Sequence, residues 1–323
     1  MSQSQKVLVA GTGLSGISAA KLLLDMGGEV VLYDSNPELD AEELKHKFDE
    51  DARITIVLGE LKRTDLLGVE MCVISPGIPL EAPFVAVLDE AKIPIWSEIQ
   101  LAYQCAKGRL AAITGTNGKT TTTALTGEIM KAYYESVFVV GNIGIPYTQV
   151  AMETEDDSVT VAEVSSFQLE TLNSLCPHVG VVLNVTEDHL NRHYNMENYI
   201  FLKSKLLKNS TEAEYAVLNF DDGIVRGFAE KTKARIFYFS VRERVHGAYL
   251  ENGTLYFCGE KIMPASELLT DGLHNVQNAL AAIAAAKIMG ISSESIARSL
   301  ASFKGIKHRI ELVGEADGIK YID

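Results

Sequence analysis

Lys119 and Thr120 follow a Gly/Asn turn, Thr114-Gly115-Thr116-Asn117-Gly118, which itself follows a short apolar run, Leu110 to Ile113. A buried strand, a loop of turn formers, a Lys-Thr pair and a helical stretch through Lys131 are the parts of a phosphate cradle. Backbone N–H groups at the loop and helix start point at an anion in such a cradle, and the helix dipole adds to the attraction. Lys119 then reaches the β- and γ-phosphates and the Thr120 hydroxyl ligates Mg²⁺. The match to G-x-x-x-x-G-K-[ST] is incomplete, because Ile113 stands where the first glycine would. The loop is the shorter T-G-T-N-G-K-T-T form. A plain turn before a Thr-rich helix is the structural alternative, and the order of strand, loop and Lys-Thr weighs against it.

A second glycine-rich turn lies near the start. Gly11-Thr12-Gly13-Leu14-Ser15-Gly16 separates the strand Lys6 to Ala10 from an apolar-periodic helix, Ile17 to Met26. A further strand, Glu29 to Tyr33, ends in Asp34-Ser35. G-x-G-x-x-G between strand and helix, with an acid about 20 residues on, is what a dinucleotide fold requires. Many nucleotide-diphosphate binders use the same turn, and a tight turn that binds nothing is the structural alternative.

Other residues depend on their neighbours. Glu163, just past an apolar strand, suits a Mg²⁺ ligand near a phosphate loop, or is simply an acid near a helix start. His189, in Glu-Asp-His at another strand end, reads alone as a core histidine; its place raises the functional reading. Lys203 and Lys205 lie on a helix whose spacing says only solvated lysines. Asn275 and Asn278, at a helix start, fit either a cap or a contact to a nucleotide base.

The scaffold these residues need is α/β. Strands at 54–58, 71–74 and 94–96, with a helix at 84–92, continue the first alternation, and Ser75-Pro-Gly77-Ile-Pro is a turn at a strand's C-terminal end. Ser97 caps a helix, Glu98 to Ala106, leading into the phosphate loop. Strands at 137–140, 158–163 and 179–183 end in polar residues, which places a site at converging strand ends. Further strands follow at 216–219 and 235–240, then an antiparallel excursion at 245–263 and helices at 273–289 and 294–303. The expected architecture is a Rossmann-like N-terminal domain over 1–96 and a P-loop ATPase-type central domain with a mostly parallel sheet over 97–306. A stub of a third domain occupies 307–323, with Arg309 to Asp323 reading as a hairpin or first strands.

Composition narrows the class. A net charge of −14 disfavours nucleic acid or an anionic membrane as the partner of the whole surface, though not a small phosphorylated ligand in a locally positive pocket. Cys72, Cys105, Cys176 and Cys258 are scattered, without a C-x-x-C pair, and read as thiols in a reducing compartment. The N-terminus runs into a strand with no secretory apolar region, and the longest apolar run, Ala279 to Ala286, is too short to span a bilayer. A cytoplasmic monomer is expected.

Taken in order, T-G-T-N-G-K-T-T, Glu163-Val-Ser-Ser-Phe-Gln-Leu, Asn184-Val-Thr-Glu-Asp-His-Leu, Tyr199-x-x-x-Lys203 and Gly272-Leu-His-Asn-Val-x-Asn278 resemble the Mur ligases of peptidoglycan synthesis. The resemblance covers essentially all of the chain. The Ser-Ser-Phe-Gln-Leu segment and the first domain look most like the member that adds D-glutamate to UDP-N-acetylmuramoyl-L-alanine. The resemblance implies ATP-dependent amide-bond synthesis serving the cell wall, and so cell shape and division. The L-alanyl carboxylate attacks the γ-phosphate to give an acyl phosphate, and the D-glutamate amine then displaces phosphate.

By that resemblance Gly115, Thr116, Asn117, Gly118, Lys119, Thr120 and Thr121 hold the ATP phosphates, and Asn275, Asn278 and Arg309 contact the nucleotide. Thr120, Glu163 and His189 hold Mg²⁺, joined by Lys203 once carbamylated, which turns an ammonium into an anionic oxygen ligand. Lys119, His189 and Lys203 are the implied catalytic residues. Gly13, Leu14, Ser15, Asp34, Ser35 and Gly77 fall where the family holds the UDP part, and Asn142 and Ser165 fall with the rest of that substrate. One departure stands out: the family has a third domain for the amino acid, and the sequence stops at Asp323, about where that domain's Asp-Ser-Lys stretch begins. The expectation is a truncated form that binds the UDP-substrate and turns nothing over. The rivals are a nicotinamide-dependent oxidoreductase, which leaves Thr114 to Thr120 unexplained, and a non-catalytic nucleotide-binding module, which has no need of Lys119, Glu163 and His189 together. Within the family, folylpolyglutamate synthesis is disfavoured by the separate first domain.

Overall fold

A strand covered on both faces reads as an unbroken apolar run, and Lys6–Ala10 (β1) is one: Val7, Leu8, Val9 and Ala10 are all buried. The computed structural model describes residues 5–142, 144–270 and 272–305, and the backbone of two strands in the tail. β2 (Glu29–Asp34), β3 (Ile54–Leu58), β4 (Val69–Ile74) and β5 (Ile95–Ser97) join β1 in an all-parallel sheet of order β3-β2-β1-β4-β5. The order reverses between β1 and β4, and a crevice opens beyond the strand ends at such a reversal. The helix Leu14–Asp25 follows β1, and Ser97 caps the helix Glu98–Cys105 by accepting from the Gln100 N–H, as the sequence predicts.

The chain divides into two compact units. The first comprises Met1–Lys107 with two returns, Gly141–Glu155 and Ser165–Leu175. The returns are tied in by buried polar bonds. Thr148 Oγ1 donates to Ser18 Oγ at 2.8 Å, and Gln100 Oε1 accepts the N–H groups of Asn173, Ser174 and Leu175.

The second unit is built on β6 (Arg109–Thr114), β7 (Val137–Gly141), β8 (Val159–Glu163), β9 (Val179–Val182), β10 (Tyr215–Asn219), β11 (Arg235–Ser240), β12 (Gly247–Glu251), β13 (Thr254–Phe257) and β14 (Glu260–Pro264). The sheet order is β14-β13-β12-β11-β10-β9-β6-β8-β7. β8 and β9 both pair with β6 in parallel, so the chain ends of three strands converge on the loop after β6. The antiparallel excursion is present as β12-β13-β14, but its first strand joins β11 in parallel, through Tyr238↔Gly247 to Ser240↔Tyr249. That stagger lets a short loop replace the long crossover parallel neighbours usually need. The helix Lys119–Lys131 packs against the helix Leu273–Ile288, whose Ala279–Ala286 stretch is fully buried; small side chains bring it close to the sheet.

Element boundaries agree with the sequence reading to within a few residues. Among the described residues five helices of four or five residues were not foreseen, Ala41–Lys45, Tyr147–Val150, Ser166–Glu170, Leu190–His193 and Gly223–Arg226; they are too short for apolar periodicity. The tail forms an antiparallel pair, β15 (Leu312–Ala316) and β16 (Ile319–Ile322), as expected of a hairpin. No helix among the described residues is long and apolar enough to cross a membrane.

Candidate active site

The loop after β6 is fixed by bonds to residues that follow β9 and by its own lysine. Gly118, the residue before the helix Lys119–Lys131, sits at φ +82°, and a Cβ there would stand 2.4 Å from Asn278 Oδ1. Only glycine meets both conditions without strain. Asn117 donates its N–H to Asn184 Oδ1 at 2.8 Å and accepts from Asn184 Nδ2 at 3.0 Å. Thr116 donates its N–H to the Asn184 carbonyl. The Thr116 hydroxyl donates to the Thr186 carbonyl and accepts from the Thr186 N–H, which leaves the Tyr199 hydroxyl, 3.1 Å away, as donor to it. Lys119 Nζ donates to the Thr116 carbonyl at 2.9 Å, folding the ammonium back over the loop. Thr120 is nearly buried at the first turn of the helix. Thr122 Oγ1 donates to Asn278 Oδ1 at 3.2 Å and Asn278 Nδ2 reaches Asn275 Oδ1 at 3.4 Å, so the paired asparagines are joined to the phosphate-loop helix. Beside them a cavity of about 170 Å³ is lined by Asn117, Gly118, Asn184, Phe239, His274 and Asn278 among others.

Lys203 corrects the surface reading its helical spacing gave. It is 1% exposed, and its Nζ donates to the Gly115 carbonyl at 2.6 Å and to Thr114 Oγ1 at 3.2 Å. Burial pushes its ammonium down to about 7, Lys119 pushes the same way, and Asp188 and Glu163 oppose. Two lysines and two acids thus share one field at the ends of β6, β8 and β9. Glu163 is buried at the last position of β8. His189 takes a left-handed conformation, φ +53°, at the start of the short helix Leu190–His193, with Nε2 3.4 Å from Asp188 Oδ2. A non-glycine residue is uncommon in that region, and histidine is among those enriched there. His193 is also buried, and burial together with Arg192, His189 and Lys203 pushes it down to about 4, against Asp188.

The first unit carries its own glycine-rich turn. A Cβ on Gly16 would stand 1.9 Å from the Gly11 carbonyl, so helix and turn close only around glycine. Ser75 donates its N–H to the Ala10 carbonyl, bringing the turn after β4 against the turn after β1 at the strand-order reversal. Asp34 Oδ2 accepts from both the N–H and the hydroxyl of Thr12, at 3.1 and 2.8 Å, which ties the acid at the end of β2 to the glycine-rich turn. Leu14 is exposed at the helix start and Ser15 half-buried behind it; Gly13, Ser35 and Gly77 are exposed. Asn142 is exposed, and Ser165 caps a short helix through a reciprocal bond with Gln168.

Both glycine-bearing turns fall inside regions of known type. Residues 5–97 match the model of the Mur ligase MurD-like N-terminal domain, and residues 113–286 match that of the Mur ligase middle domain. The chain belongs to the Mur ligase family. A relative from Lachnoclostridium phytofermentans, UDP-N-acetylmuramoylalanine--D-glutamate ligase, is 47% identical over 98% of this chain and 71% of its own. The protein of the same description from Lachnospira eligens is 43% identical, over 99% and 72%. Among solved structures, a murein peptide ligase from Psychrobacter arcticus superposes with a TM-score of 0.62 at 20% identity, over 99% of this chain and 72% of that one. A UDP-N-acetylmuramate-alanine ligase from Thermotoga maritima gives 0.60 at 20% identity, over 98% and 73%. Those two likenesses concern the fold.

In this Mur ligase the structure gathers Gly115 to Thr120, Asn275, Asn278 and Lys203 around one loop, with Glu163 and Asp188 in electrostatic reach of Lys203. Thr121 is half-buried in the same helix turn. Arg309 lies outside the described residues. Sequence reasoning singled out neither Asn184, which pins the loop from β9, nor His193 and Asp188. The strand-end position of Asn184 and the i,i+4 spacing of His189 and His193 were the available signals.

Proposed function

We propose that this chain is the Mur ligase that joins D-glutamate to UDP-N-acetylmuramoyl-L-alanine at the expense of ATP. The observation that carries the reading is the loop at Thr114 to Thr120, with Gly118 left-handed against Asn278, Lys119 folded over it, and Lys203 buried beneath it. The relatives' shared description supports the choice of acceptor and amino acid. The loop N–H groups and Lys119 bind and orient the triphosphate, and phosphoryl transfer to the L-alanyl carboxylate is then mostly a matter of positioning and charge neutralisation. The small cavity beside Asn278 suits the base. The glycine-rich turn of the first unit, with Asp34 and Leu14, takes the UDP part, Gly13, Ser15, Ser35 and Gly77 lie with it, and Asn142 and Ser165 take the muramoyl-peptide part. We assign the UDP part to 1–96 and ATP to 97–306.

The donors fit Mg²⁺. Glu163 and Thr120 offer oxygen, the donor type Mg²⁺ takes while keeping waters and phosphate oxygens in its shell. Thr120, Glu163 and His189 would hold it, and its chemistry there is to neutralise charge on the transferring group. Lys203, with its ammonium pushed down to about 7, offers the neutral amine that adds to CO₂ with loss of a proton, giving a carbamate.

Calorimetric titration tests the reading. UDP-N-acetylmuramoyl-L-alanine and ATP-Mg are each expected to bind this chain with 1:1 stoichiometry, and NADH is not. Binding of NADH with no response to the UDP-sugar would overturn it in favour of an oxidoreductase.

A further inference from the structure

The helix that carries Lys203 begins after a sharp turn, and that turn puts two buried rings face to face. His193 closes the short helix Leu190–His193, Tyr194 takes a positive φ of 67°, and Asn195 caps the helix Met196–Ser204. The imidazole of His193 stacks on the phenol of Tyr199, with centroids 5.3 Å apart and planes 21° apart. Both residues are 1% exposed. The turn is braced from below, since Asn198 Nδ2 donates to the His193 carbonyl at 3.2 Å.

Tyr199 touches the phosphate loop and lies beside Lys203. Its hydroxyl lies 3.1 Å from Thr116 Oγ1 in the phosphate loop, and Lys203 Nζ sits 5.3 Å from its ring centroid. Lys203 in turn bonds the Gly115 carbonyl. Two adjacent loop residues, Gly115 and Thr116, are therefore held from one helix, by Lys203 and Tyr199 respectively. The Tyr199 ring meets the His193 imidazole in a stack and the Lys203 ammonium near its centroid.

We propose that His193 is a positioning residue for nucleotide binding: by stacking on Tyr199 it sets the phenol hydroxyl against Thr116 and so fixes the phosphate loop. His193 touches no substrate in this scheme; it acts through Tyr199. The proposal rests on the nucleotide reading of the loop given above. It assigns His193 a role distinct from His189, which faces Asp188 at the other end of the same short helix.

The test compares ligand affinities on the whole chain, with ADP and ATP-Mg as nucleotide probes and UDP-N-acetylmuramoyl-L-alanine as the internal control. In His193→Ala the nucleotide Kd rises about two- to tenfold, the size expected for loss of one ring contact, while the control Kd holds. His193→Phe keeps a flat ring and restores nucleotide affinity. Tyr199→Phe keeps the stack but removes the hydroxyl, and weakens nucleotide in the same range. Equal weakening of both ligands in His193→Ala would mean general loosening and would overturn the proposal, as would wild-type nucleotide affinity in that variant. If His193→Ala does not fold, Tyr199→Phe decides: unchanged nucleotide affinity there breaks the route from stack to loop. Wild-type protein that binds the UDP-sugar but no nucleotide would sink the nucleotide reading itself, and this inference with it.

Discussion

A lysine that is 1% exposed and bonded to a carbonyl and a hydroxyl carries its charge at a cost. The sign of that cost fixes a pH dependence. The folded-state ammonium of Lys203 is lowered to about 7 from 10.5, so between those values the unfolded chain holds a proton the folded chain has lost. Stability therefore rises with pH across that window and the penalty is full below it. Against Lys203→Met, the wild type is expected to gain stability from pH 7 to pH 10 with a slope of at most about 1.4 kcal/mol per pH unit. Urea unfolding of both proteins at several pH values measures the difference; parallel curves would mean that Lys203 is not held as the structure has it. Lys119 is read by its consequence for ligand instead. Lys119→Ala is expected to weaken ATP at least about tenfold, the scale of one charge-assisted contact to phosphate, with little change in melting temperature. At this scale the sequence is legible for residues that chemistry marks by neighbours: Gly118, Lys119 and Thr120 announce themselves together. Lys203 did not, because two lysines two apart on a helix, Lys203 and Lys205, say nothing about which of them is buried. Asn184 and His193 were silent for the same reason: their partners, Asn117 and Tyr199, are far along the chain or across a turn.

Elements place those residues through two close approaches of backbone. At Gly118 an alanine would have to adopt φ +82° and push Asn278 aside, so Gly118→Ala is expected to cost about 1–2 kcal/mol and to abolish tight ATP binding, checked by thermal melting and titration together. At Gly16 the obstacle is the Gly11 carbonyl, which cannot rotate away, and overpacking of that kind costs about 1–3 kcal/mol; UDP-sugar binding is expected to be lost with it. A Gly16→Ala protein that melts like the wild type and still binds the UDP-sugar would contradict the turn as described. Long strands and helices were legible because their apolar patterns run unbroken, as in β1 and the alanine-rich helix. The short helices were not. Leu190–His193 is set by the left-handed His189 and by tertiary burial, neither of which leaves a periodic trace. The stagger of β12 on β11 was hidden for a similar reason, because register belongs to pairs of strands and no single segment encodes it.

For the whole molecule, the sequence order of domains and the spatial grouping of segments are different things. The first unit takes back Gly141–Glu155 and Ser165–Leu175 from stretches that follow the phosphate loop in sequence. A linear reading sees the loop after β7 and the Ser165 turn as central-domain features, since composition does not change there. Their tethers, Thr148 to Ser18 and Gln100 to the 173–175 backbone, are long-range bonds that only a fold reveals. A charge of −14 leaves room for anionic ligands if, as proposed, the two turns bind them through backbone N–H groups, helix starts and a few placed cations. The central claim is that one chain carries two independent anion cradles, one for a sugar nucleotide and one for a triphosphate. The most direct measurement is titration of UDP-N-acetylmuramoyl-L-alanine into the chain with and without saturating ATP-Mg, repeated on Gly16→Ala and Lys119→Ala. Two non-competing 1:1 sites are predicted, the first lost only in Gly16→Ala and the second only in Lys119→Ala; displacement of one ligand by the other from a single site would contradict the account.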